Sequence, residues 1–188
     1  MVRLPLSLYV DFFRTTPLLV QLFWIYYVLP VLTGITLNPF DAGVISLGLY
    51  EGSYISEIFR GGIAAVDVGQ VDAATALGMT PWQVLRRVLL PQAIFMMLPA
   101  FGNQFLTLIK DSSLASAISL PELLSQGEAL GAMTLYPLEA LTVTGVSYMV
   151  LTLPLSTVLT LWHRGSLSRG LSQLRRIGGV VETERGMI

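Results

Sequence analysis

QVDAATALGMTPWQVLRRVLLP, residues Gln70–Pro91, is a charged, glycine-hinged segment between two apolar lengths of chain. Asp67, with Gln70 three positions on, fits a capping box, so a helix is expected to start at Val68. It should end at Gly78, where a residue without a side chain can take the left-handed stop conformation. Thr80-Pro81-Trp82-Gln83 repeats the start signal, with Pro81 at the first helical position and Gln83 closing a second box. Trp82, Leu85, Val88 and Leu89 make an apolar stripe, and Arg86 and Arg87 lie off it. Small Ala73 and Ala74 allow a partner surface to come close, and Asp72 offers that partner a negative charge. A folded hairpin of this kind in a short loop implies something outside the bilayer to dock against. The plainer alternative is an amphipathic hairpin lying on lipid headgroups.

Composition places the chain in a membrane. Hydrophobic residues make up 53% and charged residues only 12%, with a mean hydropathy of +0.68. Soluble domains carry about twice that charge. There is no cysteine, which excludes disulfides, thiolate nucleophiles and thiolate metal sites. The single histidine, His163, stands beside a basic tail with no ligand partner. A net charge of −1, with no broad Lys/Arg run, gives no surface for nucleic acid.

Four spans are expected, at about 18–34, 42–60, 93–118 and 138–162, with an extramembranous loop over 64–92 and a tail over 163–188. Only the last is close to an uninterrupted apolar helix. The others carry Gln21, Glu51, Asn103, Gln104 and Lys110, with Pro30 and Pro99 as kink sites. Such groups cannot face lipid, so these helices must pack in a bundle or line a cavity. Arg3 and Arg14 precede the first span, Arg60, Arg86 and Arg87 flank the hairpin, and Arg164, Arg169, Arg175, Arg176 and Arg185 follow the last. The connections near 36–41 and 120–139 contain no Lys or Arg. The positive-inside rule then puts both ends and the hairpin in the cytoplasm. A cleaved signal peptide is disfavoured, because no small-residue cleavage site follows the first apolar run, which ends in Pro30.

Asp72-Ala73-Ala74, then Gly78 after three residues, then Val88, Leu90 and Pro91 after nine more, closely resembles the EAA loop of ABC importer permeases. Asp72 replaces the family's Glu and Val88 its Ile. Flanking stretches resemble the polar amino acid branch: Phe13-Arg14-Thr15-Thr16-Pro17, Gly52-Ser53-Tyr54 with Glu57-Ile58-Phe59-Arg60-Gly61-Gly62, Leu90-Pro91-Gln92-Ala93, Gly102-Asn103-Gln104-Phe105 and Lys110-Asp111-Ser112-Ser113-Leu114. The resemblance implies an all-α polytopic bundle, the transmembrane domain of a type I importer, in the bacterial cytoplasmic (inner) membrane. It also implies that a first helix, which relatives carry ahead of Phe13, is missing here. Its implied partners are an ATP-binding cassette subunit, a second permease chain (homo- or heterodimer) and an extracytoplasmic substrate-binding protein. ATP and magnesium belong to the cassette subunit. This chain has no phosphate-binding glycine loop and is expected to need no cofactor and perform no catalysis.

The substrate path is assigned to Lys110, Asp111, Ser112 and Glu51. Lys110 and Asp111 are adjacent on a helix and do not face each other. Ser112 and Ser113 are therefore expected to cap a new half-helix near Leu114, leaving Lys110 and free amides for a carboxylate. A structural ion pair of Lys110 with Asp111 or Glu51 is the alternative. Glu51 would receive an ammonium group or simply face the cavity near a dimer axis. Glu57 and Arg60 are expected to pair one turn apart. The rival functions are a gradient-driven carrier, which would not need the hairpin, and an ABC permease for a solute other than an amino acid. A membrane enzyme would need more convergent acid and base groups than Glu51, Lys110 and Asp111 supply.

Overall fold

A computed structural model describes residues 3–185, with side chains over 4–161. The side chains of Arg3, Trp162, His163 and the tail arginines lie outside the described residues. All regular structure among the described residues is helical. In order the helices are α1 (Arg3–Thr15), α2 (Leu18–Thr33), α3 (Pro39–Ala64), α4 (Val68–Ala76), α5 (Pro81–Ile118), α6 (Leu123–Thr134) and α7 (Pro137–Arg185).

Prolines and glycines set most of the boundaries. The Pro17 ring disfavours helical backbone at Thr16, and Pro17 is itself extended, at φ −63° and ψ 137°; α1 and α2 meet there at 105°. The elbow's loose carbonyls are gathered by Gln21, whose Nε2 donates to the oxygens of Phe13 (3.0 Å) and Thr16 (3.1 Å) and to Thr16 Oγ1 (2.8 Å). Gly34, at φ +75°, ends α2. Asn38 starts α3 by accepting from the Asp41 amide at 2.9 Å, with Pro39 next in line.

Two widened turns interrupt otherwise regular helices, at Trp24–Val28 in α2 and Leu85–Leu89 in α5. Each closes on a bond five residues back, Leu29 N to Trp24 O and Leu90 N to Leu85 O. Each also stands just before a proline, Pro30 or Pro91. A proline offers no N–H and crowds the carbonyl four residues earlier, here Tyr26 or Arg87. Widening the turn relieves that crowding without ending the helix.

The packing is that of a membrane bundle. Large apolar side chains such as Val31, Phe95 and Val150 point outward, while Gln21, Ser46, Glu51, Ser53 and Thr144 are buried. Helices approach closely at glycines: Gly62 of α3 against Met97 of α5, Gly102 of α5 against Leu159 of α7, and Gly127 of α6 against Thr144 of α7. Two small apolar clusters anchor the bundle. One joins Leu18, Leu22, Ile25, Ala42 and Ile118, the other Val66, Ala93 and Met97.

By length and composition, α5 and the Pro137–Leu161 part of α7 are apolar enough to cross a bilayer, and the bent α1–α2 pair makes a third candidate. The segment expected to span at 42–60 is helical, and α3 is 26 residues long, but its Glu51, Glu57 and Arg60 keep it below that level of apolarity. Its polar side must be sheltered by neighbours, and it packs most extensively on the Leu90–Asp111 part of α5.

Candidate functional site

The hairpin is built from its caps. The Asp67 carboxylate accepts from the Gly69 amide at 2.6 Å and starts α4 at Val68, without the reciprocal bond from Gln70 that a full box requires. At the far end Gly78 sits at φ +78°; its amide donates to Thr75 O (2.9 Å) and that of Met79 to Ala74 O (3.2 Å). That pair of bonds is the Schellman stop. Thr80 and Gln83 complete the second box: Thr80 N donates to Gln83 Oε1 (2.9 Å) and Gln83 N to Thr80 Oγ1 (3.4 Å).

The hairpin's second arm is no separate helix. From Pro81 it runs without a stop through the widened turn to Ile118. That turn also moves the apolar stripe: Val84 is buried, Leu85, Val88 and Leu89 are half-buried, and Trp82 is left 65% exposed. A constant helical period had placed Trp82 in the stripe; the extra residue per turn breaks that period. Ala74 packs inward while Asp72, Ala73, Leu77, Gly78 and Trp82 face out. The exposed Leu77 and Trp82 add apolar area beside the Asp72 charge.

Inside the bundle, Glu51 is only 5% exposed. Its Oε2 accepts from Gln104 Nε2 at 2.8 Å, and its Oε1 has no hydrogen-bond partner. Lys110 is exposed and makes no ion pair with Asp111 or Glu51 among the described residues. The alternative of a structural ion pair is thus not met: Lys110 sits on another face of α5, and Gln104 takes the place beside Glu51.

The expected break near Leu114 is also absent. After Asp111 the helix tightens into a 3₁₀ segment, Ser112–Ile118, without losing its course. The two serines bond backward, Ser112 Oγ to Ile109 O (2.8 Å) and Ser113 Oγ to Lys110 O (2.6 Å), so neither caps a new helix and no free amides are exposed there. The chain reverses only at Ser119, at φ +64°.

Glu57 and Arg60 pair as expected, through Arg60 Nε to Glu57 Oε1 at 2.9 Å. Arg14 joins them at 3.4 Å and lies over the Tyr54 ring, which ties the elbow to α3. That link was not legible in the sequence, because nothing local brings Arg14 and Glu57 together. A cavity of about 420 Å³ between the elbow and α3 is lined by Phe12, Phe13, Trp24, Ile45 and Leu49 and is apolar, so it is not part of a polar path.

A helical bundle with a buried carboxylate and a doubly capped hairpin outside its apolar spans is the build of a membrane permease. Residues 1–169 match the family described as binding-protein-dependent transport system inner membrane component, and the chain belongs to that family. It is 39% identical over 167 residues to the probable amino-acid ABC transporter permease protein y4tG of Sinorhizobium fredii, covering 89% of this chain and 72% of the relative. It is 38% identical over 152 residues to the glutamine transport system permease protein GlnP of Escherichia coli, covering 80% and 69%. The crystal structure of an amino acid ABC transporter with histidines superposes with a TM-score of 0.80 at 40% identity, over 84% of this chain and 73% of the other. The chain is accordingly an ABC importer permease subunit of the amino-acid type, a transport component and not an enzyme.

Proposed function

We propose that this permease subunit imports a polar amino acid, driven by a separate ATPase subunit that grips the hairpin from the cytoplasm. The supporting observation is the continuity of Pro81–Ile118: the arm that begins at the Thr80 box is also the helix bearing Gln104, Lys110 and Asp111. Asp72, Ala73 and the turn at Gly78 form the contact face, with Ala74 packed beneath it. Val88, Leu90 and Pro91 form the root through which its movement enters the membrane. ATP and magnesium sit on the partner, whose two states must engage the hairpin differently for the path to switch sides. The arginine distribution supports a bacterial inner-membrane location with both ends and the hairpin in the cytoplasm. A second permease chain completes the path, and an extracytoplasmic binding protein delivers the cargo.

Along the path, Glu51, buried in this state, would receive an ammonium group once the helices part, and Lys110, with Asp111 and Ser112 beside it, the other end of an amino acid. The test is import into proteoliposomes by the complete complex, with ATP supplied on the hairpin side. Asp72→Lys should abolish import and the permease's hold on the ATPase subunit. Lys110→Met should abolish import while leaving the complex intact; a complex that falls apart instead would make Lys110 a structural residue.

A further inference from the structure

We infer that Tyr148, on α7, is a positioning residue for the polar path: it holds the tight Ser112–Ile118 segment in the conformation that aims Lys110, Asp111 and Ser112. This rests on the reading of those residues as part of the path. The Tyr148 hydroxyl donates to Glu122 Oε2 at 2.9 Å, across 26 residues of sequence. Glu122 is the cap of α6, with Oε2 also accepting from the Leu124 amide (2.8 Å) and Oε1 from the Ser125 amide (2.6 Å). Ser125 Oγ in turn accepts from the Glu122 amide and donates to Leu120 O. Capping needs only the backbone donors; a third donor from another helix instead fixes the turn in space. One side chain on α7 thus ties down the turn into which the segment runs.

That segment needs holding. A 3₁₀ run of seven residues is longer than the geometry sustains by itself, since runs beyond about four are uncommon. It is pinned by the full burial of Ala115 and Ile118, by the left-handed turn at Ser119, and by the Tyr148–Glu122 tie. Relaxation to α-helix would shorten seven residues by about 3 Å and rotate the start against the end by more than a quarter turn. Lys110 and Asp111, immediately before it, would be carried along.

The test is Tyr148→Phe in the complete importer, reconstituted with its ATPase and binding protein. A panel of tritiated amino acids identifies whichever the wild type imports. Loss of a hydrogen bond to a carboxylate predicts import per ATP hydrolysed down about tenfold, with ATP hydrolysis and the melting temperature of the complex near wild type. Wild-type import would overturn the inference. So would a joint fall of import, hydrolysis and melting temperature, which would make Tyr148 a folding residue only. Lys110→Met, run in parallel, tests the path itself: wild-type import by that variant removes the path reading whatever Tyr148→Phe does.

Discussion

Gly78 offers the sharpest test of the hairpin. Its φ of +78° is open to glycine at no cost, and a Cβ built there meets nothing within 4 Å. Substitution therefore acts through the backbone alone, without a packing clash to confuse the result. Alanine in the left-handed region costs about 1–2 kcal/mol, from the approach of Cβ to the following carbonyl. A β-branched residue is worse, at about 3 kcal/mol, and asparagine is among the least penalised because its side chain bonds locally. The opposing forces are modest: two backbone bonds at the stop and the burial of Ala74 and Val84. If the ATPase subunit binds only the closed hairpin, its affinity should fall in the order Gly, Asn, Ala, Val. The loss should be about 5- to 30-fold for alanine and more than 100-fold for valine. Titration of the purified ATPase subunit against permease in nanodiscs, read by fluorescence anisotropy, gives each constant directly. Equal affinity for the Asn and Val variants, or wild-type affinity for Val, would refute the reasoning.

Gly62→Ala puts a methyl group into Met97, itself 1% exposed, and should lower stability by about 1–3 kcal/mol in thermal melts. Combined with Met97→Ala it should cost less than the sum of the two single changes, because each fills or vacates the same space. Gly127→Ala runs into Thr144 and should loosen α6 from α7, with partial recovery on Thr144→Ala, followed by the melting temperature of the complex. Gln104→Leu strands the Glu51 carboxylate and should destabilise assembly by about 3 kcal/mol. Adding Glu51→Leu should restore most of that stability, while import of the amino acid stays lost.

The hairpin was legible because its signals are local. Thr80, Pro81, Gln83 and Gly78 act within four residues of themselves, and each stands where the spacing puts it. The membrane class was legible for a different reason: composition and arginine placement are properties of whole segments. Geometry between segments was not. Nothing near Glu51 in the sequence names Gln104 as its partner, 53 residues away, and the alternative of a Lys110 ion pair left open which side of α5 faces α3. The reading of Ser112 and Ser113 as caps failed because a serine following helical residues can equally bond back to them, and here both do. Trp82 was misplaced by assuming a constant period through a segment that a downstream proline had widened. Both widened turns could have been suspected from Pro30 and Pro91, each lying inside an apolar run with no other stop signal.

Those turns also make the chain sensitive to length in a way that point substitutions do not reveal. The Leu85–Leu89 bulge holds one residue more than a regular turn needs, so the docking face and the transmembrane face of one helix are clocked against each other by roughly 100°. Deleting a single residue there would let the helix rewind to its ordinary pitch. Every other side chain would be preserved, and the hairpin would still fold, but it would present its wrong side to the partner below.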